Sequence, residues 1–332
     1  MKVKYVLSIG IAVLLLLASC GVSQRHHVKV GNVEPVRVAR FDSLICRYVD
    51  EPDSVHRCKM KDETGYFWGI YNYRLLRLSD MPDFYEGLSA FLDDSIVSQI
   101  YADALDVYAD MSGIEAELAM MSARYRKLFP NGRKYIFQSH ISAFKMPIVT
   151  MDSLISVSID CYMGADYPLY RERYHEYELP AHARECLLPD VGEVMLRNAM
   201  LTTQNSLLEY MIYEGIVAHL LCALLDDDSV TTALRYTAEQ EAWCVANEKK
   251  IWSTIVERGD LFTYDKVVIG KYINPAPFTS TINQDSPARV GRWVGWRIVQ
   301  QYMERQGLTV EELVADTTPF IEILRLSDYN AR

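Results

Sequence analysis

The chain has 332 residues, half of them hydrophobic, with 12 prolines and 16 glycines. That length and composition suit one large domain or two closely packed ones. The formal charge is −10, and lysine and arginine form no run in the sequence, which argues against a nucleic-acid partner.

The first twenty residues have the features of an export signal. Lys2 and Lys4 precede an apolar run over residues 6–17, which is short for a membrane span and ends in small residues. Residues 17–20 read LASC and resemble the bacterial lipobox, which implies cleavage before Cys20 and acylation of its thiol by chains such as palmitate. We assign residues 1–19 as a lipoprotein signal peptide; the alternative is an ordinary signal peptide with an incidental cysteine.

Residues 20–34 are predicted to form a lipid-anchored tether, because the stretch after the cysteine is polar and has no helical or strand period. His26 and His27 are interpreted as solvated linker residues, since no second pair of metal ligands is near them in the sequence. A single domain is predicted over residues 35–332. The six remaining cysteines contain no CxxC pair and leave 15 disulfide connectivities open.

The first half of the domain reads as helices followed by a small sheet. Residues 36–45 read as a strand that passes into a short helix, and residues 64–128 have helical periodicity, with Ser79 or Asp80 as one N-cap. From residue 133 to 163 the pattern alternates and is rich in β-branched residues, which predicts a small antiparallel sheet packed with helices. The predicted fold class is therefore α+β and mainly α-helical.

Residues 164–197 are where a metal site would have to lie. A zinc-protease helix needs two histidines one turn apart with a glutamate between them, and His175 and His182 are seven apart with Pro180 between them. His219, five residues after Glu214, does not share its helix face. We therefore predict no metal and no cofactor, and treat these three histidines as weak metal alternatives. No local signature assigns catalytic residues.

The stretch 207–225 predicts a helix that is apolar on nearly all sides and hence buried. Glu214 lies in its middle, and a buried carboxylate must be paired, protonated or metal-bound. A later helix, capped by Ser286, carries Gly291 and Gly295 on one stripe that suits close packing. Arg289 in its first turn is our candidate partner for Glu214, in a cleft between the two helices. Such a pair could be the remnant of a catalytic site, the floor of a ligand pocket, or a buried pair that only fixes helix register.

Several ordered motifs resemble the gliding motility-associated lipoprotein GldB family of Bacteroidetes. They are RFDSL at 40–44, GADYPLY at 164–170, MIYEG at 211–215, EQxxWCxxNExxIW at 239–252, YIxxAPFT at 272–279 and SPxRxGxWxGWxIV at 286–299. With the lipobox they cover nearly the whole mature chain. The family commonly ends in Ser-Lys-Tyr-Lys, whereas residues 327–330 read SDYN, which leaves the role of the tail open.

This resemblance implies an envelope lipoprotein linked genetically to the gliding machinery. The helices that carry Glu214 and Arg289 also resemble, more distantly, predicted zinc proteases in which an HExxH helix precedes a Glu-Gly helix. Because this chain lacks the HExxH, the resemblance implies a zincin-like scaffold without its catalytic metal, a pseudoenzyme.

Two functions follow. The first is a non-enzymatic, lipid-anchored envelope protein that binds protein partners or supports envelope or gliding machinery. The alternative is a degenerate zinc hydrolase that uses Glu214 with His175 or His182. By resemblance, lipoproteins bound for the cell surface carry acidic residues after the cysteine, and residues 21–25 have none. We therefore expect a periplasm-facing protein on the outer membrane, with the inner membrane as the alternative.

Overall fold

The computed structural model describes residues 26–50, 62, 64–78 and 84–330. Cys20, Cys58, the signal peptide and the predicted cap at residues 79–80 lie outside these residues. The chain divides into two compact units. Unit 1 contains the described residues 26–30, Lys127–Phe129 and 201–330, and unit 2 contains the described residues 31–126 and Pro130–Met200. The single domain over 35–332 stays a prediction.

Unit 2 contains a four-stranded sheet with the order β1-β2-β4-β3. The strands are β1 (Val38–Arg40), β2 (Ile136–His140), β3 (Ile148–Met151) and β4 (Leu154–Ser158). β1 and β4 both run parallel to β2, and only the β3–β4 pair is antiparallel. The prediction of an antiparallel sheet was therefore wrong, because residue alternation identifies a buried face but not the direction of the neighbouring strand.

The helices of unit 2 precede and follow this sheet. They are α1 (Phe41–Asp50), α2 (Tyr66–Ile70), which continues as a π-helical turn over Tyr71–Leu76, α3 (Phe84–Leu92), α4 (Ser95–Val107), α5 (Ser112–Leu128) and α6 (Leu187–Ala199). Phe67 and Tyr71 are fully buried and pack edge-on against Phe41. The aromatic group at 66–73 therefore contributes to the core, although Tyr66 and Tyr73 themselves are exposed. After β4 the chain makes 3-10 turns instead of the predicted strand to residue 163.

Unit 1 is helical. Its helices are α7 (Leu207–Leu225), α8 (Val230–Leu234), α9 (Ala238–Ala246), α10 (Glu248–Glu257), α11 (Lys266–Ile273), α12 (Val290–Gln306), α13 (Val310–Ala315) and α14 (Phe320–Ser327). A threonine followed three residues later by a glutamine predicts a capping box, and Thr237 and Gln240 form one at the start of α9. The sequence pattern predicts one helix over 237–259, but the structure has two, divided at Asn247, whose side-chain amide donates to Trp243 O.

Helix α7 is the core of unit 1, as the sequence predicts. Ser206 caps it by accepting a hydrogen bond from Glu209 N, and it ends at Asp226 in the left-handed conformation. By length and composition it would suit a membrane span, but it is buried within the unit, as expected for the core helix of a globular fold. The part of the chain that the structure describes is thus mainly helical with a small mixed sheet, consistent with the α+β class.

Candidate functional site

Two glycines bring α7 and α12 into backbone contact. A Cβ atom on Gly215 would lie 2.8 Å from Trp296 N and closer still to Gly295 O, and one on Gly295 would overlap the carbonyl of Met211. Only glycine permits this approach. The predicted close packing is therefore found at Gly295, whereas Gly291 faces α11, where its Cβ would meet Tyr272 O at 2.9 Å.

Glu214 lies beside this contact and is only 5% exposed. Arg292 Nε of α12 is 2.9 Å from Glu214 Oε2, and the Arg292 side chain is equally enclosed. The buried carboxylate is thus paired with a fixed cation, one of the three arrangements expected from the sequence. Arg292 was not the predicted partner, although it lies three residues after Arg289 in the same motif.

Arg289 precedes α12 as its N-cap, with φ of 59°. Its guanidinium carbon lies 5.9 Å from the ring centroid of Tyr236, and Nη2 donates to Arg235 O at 3.5 Å. Contact of Arg289 with Glu214 stays a prediction. The predicted helix start at Ser286 was wrong: Ser286 Oγ instead donates to Asn283 O at 2.7 Å and accepts from Thr279 N at 3.2 Å, which fixes the preceding loop.

One turn further along α7, His219 is buried against Trp296. The two rings stack with centroids 3.7 Å apart, and His219 Nε2 lies 3.1 Å from Trp296 O. Burial lowers the pKa of His219 to about 3, with the neighbouring His26 as a further cause. His219 is therefore a neutral packing residue near pH 7, and His219 Nδ1 is 2.7 Å from His26 Nε2.

His26 and His27 hold the N-terminal segment against the end of α7. His26 Nδ1 is 2.8 Å from Asp228 Oδ1, and His27 Nδ1 is 2.7 Å from Asp226 Oδ1. The next residue, Val28, is 1% exposed. The interpretation of these histidines as solvated linker residues was wrong, because nothing in a short polar stretch reveals a partner about 200 residues away.

The other two candidate histidines belong to unit 2. His182 Nδ1 lies 2.8 Å from Cys161 O, its ring stacks on Tyr174 with centroids 3.8 Å apart, and burial lowers its pKa. His175 is exposed and stacks on Tyr177. Glu214 is in unit 1 and these histidines are in unit 2. Within the described residues, no three His, Cys, Asp or Glu side chains are grouped to hold a metal ion.

The described cysteines also carry no reactive pair. Cys161, Cys222 and Cys244 are buried thiols that form no disulfide. The apolar, helical surroundings of Cys222 and Cys244 in the sequence predict this for those two. Burial raises the pKa of the Cys244 thiol to about 12, so that it stays protonated at neutral pH.

An exposed apolar surface lies at the opposite end of α7 from His26. We call Phe262, Tyr264 and Val267 the 262–267 patch; their exposed fractions are 56%, 71% and 71%. Leu207 N at the start of α7 donates to Thr263 O at 3.1 Å, which attaches the patch to that end of the helix. Helix α7 thus has the N-terminal segment of the chain packed at one end and the 262–267 patch at the other.

Comparison with known proteins identifies the family. No curated protein and no solved structure matches the chain. The sequence profile described as gliding motility protein GldB matches residues 23–331, almost the whole chain after the predicted signal peptide. The profile includes the α7–α12 pair, the His26 contact and the 262–267 patch, and the chain accordingly belongs to the GldB family of gliding motility-related lipoproteins.

Proposed function

We propose that this chain is a non-enzymatic, lipid-anchored envelope protein that binds a protein partner through the 262–267 patch. GldB membership implies a membrane-anchored location in the envelope. The observation that carries the proposal is the patch itself, because exposed clusters of aromatic and aliphatic side chains are typical of protein interaction sites.

The position of the anchor favours a protein over the bilayer as the occupant. Five residues separate Cys20 from His26, and a fully extended chain of that length reaches about 20 Å. The docked N-terminal segment is at the C-terminal end of α7, whereas the patch is at the other end of a 19-residue helix, about 28 Å away.

The enclosed ion pair supports a structural role for the helix pair. Glu214 and Arg292 are both buried and neutralise each other, so neither is positioned to act on a substrate. The proposal of a zincin-like scaffold rests only on the distant resemblance of these two helices to predicted zinc proteases. On that reading the fold is what remains of a protease-like ancestor, and Glu214 keeps a packing role.

Site-specific photo-crosslinking in living cells tests the partner proposal. A photoreactive residue in place of Tyr264 should give a discrete protein adduct, and Phe262→Ser with Val267→Ser should abolish it. Val256, also exposed and apolar in unit 1, is the matched control position and should give none. Equal labelling from both positions, or none from Tyr264, would contradict the proposal.

A further inference from the structure

Unit 2 contains a partly open cavity of about 220 Å³ that no step of the proposed function uses. Its walls come from the segment before β1, from α5, from the segment leading into β2 and from α6. These walls combine cationic, aromatic and apolar side chains.

The charge of this lining is opposite to that of the chain. Four cations, Arg37, Arg126, Arg133 and Lys134, line the cavity together with a single carboxylate, in a protein whose formal charge is −10. A concave surface lined by one sign of charge concentrates ligands of the opposite sign. These four residues come from three separate stretches of sequence, so only the fold assembles them.

Glu34 occupies the position that an anionic ligand would take. Arg126 Nη1 donates to Glu34 Oε2 at 2.9 Å, and Lys134 Nζ donates to the same oxygen at 3.0 Å. These hydrogen bonds, that of Lys134 first, lower the pKa of Glu34. The Glu34 side chain is half exposed, and exposed ion pairs contribute little to stability, so a dissolved anion can displace it.

The other two cations of the lining, Arg37 and Arg133, have exposed side chains. Arg37 pairs with Glu115 at 2.7 Å, but its own side chain is almost fully exposed. Arg133 Nη1 donates to Asp152 O and lies 3.6 Å from an exposed carboxylate oxygen of the same residue. Both guanidinium groups can therefore turn towards an incoming anion without breaking a buried contact.

The apolar part of the cavity lining suits a small apolar or ring-shaped group. Phe137 and Met195 are buried in its wall, and Tyr135 packs against Tyr125 with ring centroids 5.5 Å apart. Ser122 Oγ is a buried polar atom that has no hydrogen-bond partner among the described residues. Such atoms normally find a partner, and a ligand oxygen is one that this cavity admits.

We propose that this cavity binds an organic phosphate monoester whose phosphate replaces the Glu34 carboxylate between Arg126 and Lys134. Its compact apolar group lies against Phe137 and Met195. Arginine and lysine are the usual partners of phosphate, and arginine can hold two of its oxygens at once. The same chemistry is offered by a free organophosphate and by a lipid headgroup with a terminal phosphate.

Isothermal titration calorimetry on the full lipidated chain in neutral detergent tests this. The probes are phenyl phosphate, dihexanoyl phosphatidic acid and, as the uncharged control, phenol. We expect phenyl phosphate to bind and phenol not to bind. Arg126→Gln with Lys134→Gln should weaken phosphate binding at least tenfold, whereas Glu34→Gln should strengthen it several-fold.

The matched control is Arg305→Gln with Arg325→Gln, which removes two exposed cations of unit 1 and should leave the affinity unchanged. A misfolded variant cannot bind more tightly, so the gain in Glu34→Gln separates the proposal from loss of fold. Tighter binding of the phosphatidic acid would identify a lipid headgroup as the source, and tighter binding of phenyl phosphate a free organophosphate. Equal affinity of all variants, or no gain in Glu34→Gln, would overturn the proposal.

Discussion

Glu214 shows how one buried charge constrains its surroundings. Its carboxylate is enclosed by apolar neighbours on α7 and answered by Arg292 at 2.9 Å. Removing one partner of such a pair leaves an uncompensated buried charge and costs about 3–5 kcal/mol, whereas replacing both partners by apolar groups can be neutral. We therefore expect Glu214→Gln to lower the free energy of unfolding by about 3 kcal/mol or more, measured by urea denaturation.

The double variant Glu214→Met with Arg292→Met should recover much of that loss. Glu322→Gln is the control, because it breaks the exposed pair with Arg325 and should change stability by less than about 1 kcal/mol. A double variant as unstable as Glu214→Gln alone would show that the pair stabilises the fold by more than mutual neutralisation of its two charges.

Buried histidines make stability depend on pH. Burial lowers the pKa values of His140 and His219 to about 3, from the ordinary histidine value of 6.5. Between these values the unfolded chain binds protons that the folded chain does not, so stability falls as pH decreases from about 6.5 towards 3. Each histidine contributes a slope of up to about 1.4 kcal/mol per pH unit.

His219→Gln should therefore reduce the slope of unfolding free energy against pH between pH 4 and 6, whatever it does to stability at pH 7. The comparison of slopes cancels the packing change at the stacked Trp296. Exposed His175→Gln is the control and should keep the slope of the unmodified chain. An unchanged slope in His219→Gln would show that His219 is protonated in the fold.

At the scale of elements, α7 and α12 depend on two glycines for their separation. A Cβ on Gly295 would overlap backbone atoms of Met211, which cannot turn aside as a flexible side chain could. We expect Gly295→Ala to destabilise unit 1 by about 3 kcal/mol or more, since overpacking forces the helices apart. Thermal unfolding followed by circular dichroism measures this.

Gly113→Ala is the matched control. Gly113 lies in α5, and a Cβ there would meet no atom within 4 Å. Because alanine is the better helix former, this substitution should leave stability unchanged or raise it by up to about 1 kcal/mol. An equal loss of stability in the two variants would mean that α7 and α12 are not in direct backbone contact at Gly295.

At the scale of the whole molecule, lipidation should determine location. Cys20→Ala should move the protein from the membrane fraction to the soluble fraction and abolish incorporation of a labelled fatty acid. The physical reason is that several acyl chains supply the anchoring free energy, roughly 0.8 kcal/mol for each buried CH₂.

The same preparation tests orientation. A periplasm-facing protein should resist protease added to intact cells and become sensitive when the outer membrane is opened. Degradation on intact cells would place the protein on the cell surface, and a labelled, membrane-bound Cys20→Ala variant would contradict the lipoprotein assignment.

Metal content distinguishes the two functions predicted from the sequence, a non-enzymatic envelope protein and a degenerate zinc hydrolase. Residues 25–332, purified without chelator, should contain far less than one zinc per chain, because the HExxH spacing is absent. Elemental analysis measures this. Stoichiometric zinc that is lost in His182→Ala would instead favour the hydrolase.

The sequence by itself determined several features of this protein. Helical period and composition predicted α7 as the buried core helix, and the Thr237–Gln240 spacing predicted the cap of α9. The small residue at 295 predicted a close helix contact, and the ordered motifs identified the family. These are local patterns or short spacings, and their physical consequences follow from the residues that carry them.

Only the tertiary structure decided which distant residues meet. The strand direction of the sheet, the choice of Arg292 beside Glu214, the docking of His26 on His219 and the four cations around Glu34 all join stretches far apart in the sequence. Periodicity reports which face of an element is buried, but not what is packed against it. That choice depends on summed burial and charge compensation across the fold, which no single stretch of sequence contains.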